Sequence, residues 1–153
     1  MRSLESRIPP VVVGLLLGAA MAAAARLLPV AGFTLPAAHL IAAGFALAGI
    51  AVALSGVVSF RRAGTTVNPL QPTAVSRLVV TGIYRRTRNP MYLGMLLALL
   101  GWGTFLAHPF ALGLAVLFVP LMNRLQIRPE ERVLAAKFGP DFTAYQSSTR
   151  RWL

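Results

Sequence analysis

The chain contains no cysteine, so disulfides and thiolate metal sites are excluded. Histidine is nearly absent too. His39 and His108 stand far apart and outside ligand spacing, and no metal site is expected from them. There is no Walker loop and no GxGxxG after a strand, so neither nucleotide-binding fold is suggested. Charge is the other shortage: 12% of residues are charged, against about 25% in an ordinary soluble domain. What fills the space is apolar, 56% of the chain, with a mean hydropathy of +0.67. A water-facing shell cannot be built over that much apolar surface, so the membrane class is the expectation. A length of 153 residues fits one domain, residues 1–153.

Three apolar runs carry this expectation. The first extends from about Ile8 to Leu28 and is broken only by Arg26; the second, from Leu35 to Phe60, has no charge at all. Each reaches the roughly 20 residues that a helix needs to cross the hydrocarbon core. They make residues 1–60 two N-terminal membrane helices. A cleavable signal peptide is the alternative for the first run, since Arg2 and Arg7 precede it and Ala22–Ala25 looks cleavable, but the run is long for that and another span follows. The third run, Met91 to Met122, is too long for one helix and holds "AHPF" at its middle. Pro109 lacks a backbone donor and restricts His108, so two short helices are expected, about Met91–Leu106 and Phe110–Arg124. The fold class read from this pattern is an all-α integral membrane protein. It has about four transmembrane helices, the last two a short hairpin, plus a loop and a C-terminal interfacial helix. Gly14 and Gly18 form a GxxxG pair, a possible packing face.

Positive charge sorts along the chain. Of fourteen arginines, only Arg26 lies between the first two spans, and the His108 turn has none. An even number of spans puts the others on one side, cytoplasmic by the positive-inside rule. Both termini and the Arg61–Arg88 loop are therefore expected in the cytoplasm, on an inner or cytoplasmic membrane. The excess charge then serves orientation and attraction to anionic headgroups. Nucleic-acid binding would use the charge but leave the spans unexplained, so no nucleic-acid partner is expected. Within the loop, "LVVTGIY" (Leu78–Tyr84) is apolar and β-branched, which argues for folding back onto the bilayer face of the helices.

Three of the four acids, Glu130, Glu131 and Asp141, fall in the tail. Pro129 suits the first turn of a helix, and Glu130 and Glu131 would then sit at its positive end, a purely structural role. Gly139-Pro140 should interrupt that helix, and Phe142, Tyr145 and Trp152 would sit among the headgroups. The same acids face the water layer that holds the loop's arginines. Acids could grip an amine while arginine or asparagine grips a carboxylate, which is the pattern required by S-adenosylmethionine.

Taken together, "GIYRRTRNPMYLG" (Gly82–Gly94), a helical hairpin, and "PEERVLAAKFGPDFTAYQSSTRRWL" (Pro129–Leu153) resemble the isoprenylcysteine carboxyl methyltransferase and phospholipid methyltransferase superfamily of membrane enzymes. The resemblance runs from about Gly64 to the end. Asn89 stands where histidine is common, Phe142 replaces the first tail tyrosine, Tyr145 keeps the second, and Arg151 fits a late arginine. It implies S-adenosyl-L-methionine as cofactor, bound by residues 61–153. Tyr84, Arg88, Asn89, Pro90, Tyr92, Gly94, Glu130 and Glu131 would be the binding residues, and Arg88 and Arg151 would act on the acceptor. The acceptor would be lipophilic or membrane-embedded: a prenylcysteine-like carboxylate, a phospholipid amine or a small thiol. A non-enzymatic membrane scaffold, or a membrane reductase similar to the sterol reductases, are the alternatives.

Overall fold

The computed structural model describes residues 8–29, 32–64 and 76–153, and every regular element among them is helical. Helix α1 is Pro10–Leu27, α2 is Ala38–Arg62, α3 is Pro90–Leu106 and α4 is Pro109–Met122. A 3-10 turn, Gly82–Arg85, precedes α3. A π turn, Asn123–Ile127, joins α4 to α5, Arg128–Ser148. Prolines set three of these starts: Pro10, Pro90 and Pro109 occupy the first helical position, where a missing N–H is not needed. The expected hairpin is present, and its turn is closed by Ala107 in the left-handed conformation at φ 46°.

The four apolar helices run up and down. At one end, the His108 Nε2 atom lies 2.8 Å from the Leu28 carbonyl, and the Phe33 N–H donates to the Ala107 carbonyl at 3.0 Å. At the other end, Gln126 Nε2 donates to the Ile8 carbonyl at 2.5 Å. Helix α2 descends beside α3, so that Gly49 meets Gly94 and Gly56 meets Pro90. A Cβ on Gly49 would come within 2.6 Å of the Gly94 carbonyl oxygen, and one on Gly94 within 2.5 Å of the Gly49 oxygen. Only hydrogen fits at either place, and the two backbones touch. Such small-residue seams suit a membrane, where lipid tails give no hydrophobic drive to helix association.

Helices α1, α3 and α4 share a core that includes Leu17, Met21, Leu99, Ala115 and Phe118. Helix α2 buries only Gly49 and Gly56 and turns Leu40, Leu47, Ile50 and Leu54 outward. Three helical runs among the described residues, Pro10–Leu27, Ala38–Arg62 and Pro109–Ser148, are long and apolar enough to cross a membrane; Pro90–Leu106 is shorter. The apolar part of the longest run is α4 with its π turn, and the polar α5 continues beyond it.

Two expectations change here. The helix does not restart at Pro129. It continues from α4 through the π turn, and Ile127 and Arg128 keep helical dihedrals. Glu130 and Glu131 therefore do not cap a free N-terminus. Phe142 and Tyr145 do not sit among headgroups either. They are buried in a second core with Val79 and Tyr84, against Phe60, Leu78, Leu134 and Phe138. The apolar stretch Leu78–Tyr84 does fold back, onto α5 and the end of α2. Residues 65–75 of the same loop lie outside the described residues. The break at Gly139 is present, at φ 50°, ψ −123°.

Candidate functional site

The site gathers at the arginine-bearing end, where the start of α3, the start of α5 and the last five residues meet. Pro90 begins α3, and the preceding Thr87–Asn89 segment is held against the chain's end by main-chain and side-chain bonds. The Arg88 N–H donates to the Arg150 carbonyl at 3.0 Å, Asn89 Nδ2 to the Arg151 carbonyl at 2.9 Å, and Thr87 Oγ1 to the same carbonyl at 3.3 Å. The Arg88 guanidinium also donates to the carbonyls of Gln146 and Thr149. The C-terminal strap from Thr149 to Trp152 is thus built into the site. Its far end is fixed by Trp152, which donates to Asn123 Oδ1 at 3.1 Å and packs edge-on against Phe118.

Glu131 joins two arginines. Arg88 Nη2 reaches its Oε1 at 2.9 Å, while Arg151 places Nε 3.0 Å from Oε1 and Nη2 2.6 Å from Oε2. The Arg151 contact is a two-pronged guanidinium–carboxylate pair, the strong form of the bond. Burial works to raise the Glu131 carboxyl, but the bonds from Arg151 and Arg88 outweigh it and hold the group below its usual range. Arg88 and Glu131 are well shielded, with side chains 11% and 14% exposed, whereas Arg151 is 32% exposed. Arg88 keeps one buried donor, Nε, without a partner among the described residues.

Glu130 points elsewhere. Tyr92 donates its phenol to Glu130 Oε1 at 2.6 Å, across 38 residues of chain. Burial pushes the Glu130 carboxyl up to about 7; the Tyr92 bond opposes that and the neighbouring Glu131 charge adds to it. Tyr84 backs this region: its carbonyl accepts the buried Tyr145 hydroxyl at 2.7 Å, and its ring meets Phe60 edge-on. Burial raises the Tyr84 and Tyr145 phenols, so both remain protonated donors at neutral pH.

Of the residues expected from sequence, Arg88, Asn89, Tyr92, Glu130, Glu131 and Arg151 come together, with Tyr84 behind them. Pro90 and Gly94 do not face this cluster. Pro90 packs on Gly56 and Gly94 on Gly49 and Ala53, so both serve the α2–α3 seam. Two participants were missed, Thr87 and the strap, together with a buried amide one turn before Glu130. Thr87 is fully buried in a loop that reads as polar. Gln126 is fully buried, with Oε1 unpartnered among the described residues. The strap contributes mainly carbonyls, which no residue type announces. Gln126 alone left a signal, as an isolated amide at the end of an apolar run. Among the described residues no group of three or more His, Cys, Asp or Glu could hold a metal ion.

The sequence over residues 37–141 matches the model of the phospholipid methyltransferase family. This chain belongs to the phospholipid methyltransferase family. An uncharacterized protein of Haemophilus influenzae is similar over 63 residues at 40% identity, which spans 41% of this chain and all of that protein. No solved structure matches. Family membership and the apolar helices together make the chain a membrane protein of a methyltransferase family, as the resemblance implied.

Proposed function

We propose that the chain transfers a methyl group from S-adenosylmethionine to a lipophilic acceptor at the membrane surface, with the arginine-bearing end in the cytoplasm. One observation carries this reading: two unlike polar groups stand ready at one site. Arg88 Nε is a buried donor without a partner among the described residues, and Glu130 is an acid bonded to a phenol rather than to a guanidinium. A zwitterion with a carboxylate and an ammonium complements that pair. The amino-acid end of the cofactor has both, so the residues fit it.

In this mechanism Arg88 takes the carboxylate and Glu130 the ammonium. Glu131 positions both arginines and stays occupied in doing so. Asn89 and Thr87 fix the strap, and the strap fixes Arg88. The sulfonium cofactor, when bound, supplies an activated methyl group. The chain's own contribution is alignment and exclusion of water, which together supply much of the acceleration in such displacements. Arg151, the more exposed guanidinium, is the one suited to an acceptor's anionic group.

Calorimetry on detergent-purified protein tests the reading. Glu130→Gln should weaken S-adenosylmethionine binding by roughly ten- to a hundredfold, the worth of a hydrogen bond to a charged group, and Glu131→Gln and Asn89→Ala should weaken it indirectly, by loosening Arg88 and the strap. Arg150→Gln is the control, because only its main-chain carbonyl is used. Wild-type protein that binds NADPH and not S-adenosylmethionine would replace this reading with a reductase.

A further inference from the structure

Between α1 and α3 runs an apolar groove of about 550 Å³. Gly14, Gly18 and Ala22 form one wall, and Met95, Ala98 and Trp102 the other. The Trp102 indole donates to the Gly18 carbonyl at 3.0 Å, which holds the ring across the groove's deep end. The two glycines of the GxxxG pair differ: a Cβ on Gly14 would come within 3.1 Å of Met95 Cε, so Gly14 packs against α3, whereas a Cβ on Gly18 meets nothing within 4 Å among the described residues. The open space therefore lies beside Gly18, between Met95 and Trp102.

We infer that this groove seats one hydrocarbon chain of a membrane lipid whose headgroup lies at the Tyr92–Glu130 end. Depth is the first argument. From Val11 to Ala22 the α1 wall extends about 17 Å at 1.5 Å per residue. That matches one leaflet, about half of a 30 Å hydrocarbon core. Lining is the second. The groove's walls are apolar throughout, and the one polar side-chain group on them, the Trp102 N–H, is already bonded to the Gly18 carbonyl, so the surface offered is a hydrocarbon one.

Position is the third argument. Met95 follows Tyr92 by one turn of α3. At the start of α1, the Ile8 carbonyl holds Gln126, one turn before Glu130 on the run from α4 into α5. The groove's shallow mouth thus opens beside the polar cluster. Only the assignment of this lipid as the methyl acceptor rests on the proposed function; occupancy by a chain does not.

The test uses the full chain in phosphatidylcholine liposomes doped with a phospholipid carrying a photoactivatable group in mid-chain, with adducts mapped by mass spectrometry. Adducts should concentrate on Ala22, Ala98 and Trp102. Gly18→Leu should remove most of them, because its side chain enters the groove without displacing a neighbour. Gly113→Leu is the matched control, an exposed glycine of α4 whose Cβ would likewise meet nothing within 4 Å among the described residues, and should leave the adducts unchanged. Adducts spread evenly over α2 and α4 would overturn the proposal. So would unchanged adducts in Gly18→Leu, or a shift in oligomeric mass with Gly18→Leu alone, which would assign the face to a second copy. S-adenosylmethionine binding, measured on the same samples, keeps the two readings apart. Its loss in wild-type protein would refute the methyltransferase reading and leave the groove standing, whereas even adducts with intact cofactor binding would refute the groove alone.

Discussion

Helices α2 and α5 are attached to the bundle by opposite means. Helix α2 is joined along its length through glycines whose backbones touch α3; only its end, at Phe60, enters the second core, and Leu40, Leu47, Ile50 and Leu54 face outward. Helix α5 is joined through Glu130, Glu131, Phe142 and Tyr145, each of which finds a distant partner. The difference follows from the solvent. Inside the bilayer a polar side chain must find a partner or pay heavily, so shape does the joining. At the surface, water competes for every polar group, so joining needs burial together with charge. Chemistry can be built only at the second kind of joint, and the candidate site lies there.

Breaking the charged joint should have the largest effect. Glu131→Ala leaves the Arg88 and Arg151 guanidiniums without their shared carboxylate, and removing one partner of a buried pair costs about 3 kcal/mol or more. The expected outcome is a lower thermal midpoint in detergent together with lost cofactor binding. Glu131→Gln, which keeps an acceptor, should recover part of the stability. Equal stability of wild type and Glu131→Ala would mean that the aromatic cluster alone holds α5.

Breaking the seam comes next. Gly49→Val puts a branched side chain where even a Cβ meets the Gly94 carbonyl at 2.6 Å, and overpacking of this kind costs about 1–3 kcal/mol. It should lower the thermal midpoint and leave cofactor affinity nearly unchanged in the fraction that folds. That split between stability and binding is what separates the two joints. If Gly49→Val instead abolished binding, the seam would belong to the site.

The seam and the site were not equally legible in the sequence. The hairpin's turn could be read because Pro109 lacks a donor and restricts His108, whereas Pro90, read as a cofactor residue, begins α3. The continuity of α4 and α5 could not: Asn123, Arg124 and Pro129 look like an exit from the membrane followed by a fresh start. The π turn removes that break, and it also removes the helix-cap role for the acids. Gly94 was read with the cofactor residues because it lies in the same motif, yet a motif does not say which face of a helix each member takes. Tyr92 faces Glu130 and Gly94 faces α2, two residues apart on one helix. The strap was hidden for a different reason, since main-chain carbonyls look alike in every residue.

The Glu130–Tyr92 pair sharpens the contrast through pH. Burial raises the Glu130 carboxyl to about 7, so its proton is held more firmly in the folded chain than in the unfolded one. Folding stability from this group is therefore present at low pH and falls as pH rises from the ordinary carboxylate range toward 7. Binding of a cation at Glu130 has the opposite sign, because it needs the ionised form. Affinity for S-adenosylmethionine should drop about fivefold between pH 7 and pH 6 and level off above pH 8. Titration calorimetry across that range checks it, and Glu130→Gln should flatten the profile. Glu131, held ionised by its arginines, contributes little over the same range.

The smallest effect expected is at Arg85 and Arg86, and it decides whether all arginines at this end belong to the charged joint. Both are exposed, unlike Arg88, which lies two residues on and is largely buried. Their proposed partners are anionic headgroups, worth about 1 kcal/mol per basic residue near such a surface. Fields of that kind fade over about 10 Å at 0.1 M salt. Arg85→Gln combined with Arg86→Gln should therefore lower methyl transfer by a few-fold in liposomes rich in anionic lipid, well below the roughly thirtyfold ceiling that two such contacts set. The loss should vanish in neutral lipid or at high salt. Arg88→Gln should abolish transfer under every condition, since its bonds to Glu131, Gln146 and Thr149 are shielded from ions. A salt-sensitive loss of equal size in both variants would reduce Arg88 to one more headgroup contact, and the division between joining and anchoring would fail at the residue on which the site depends.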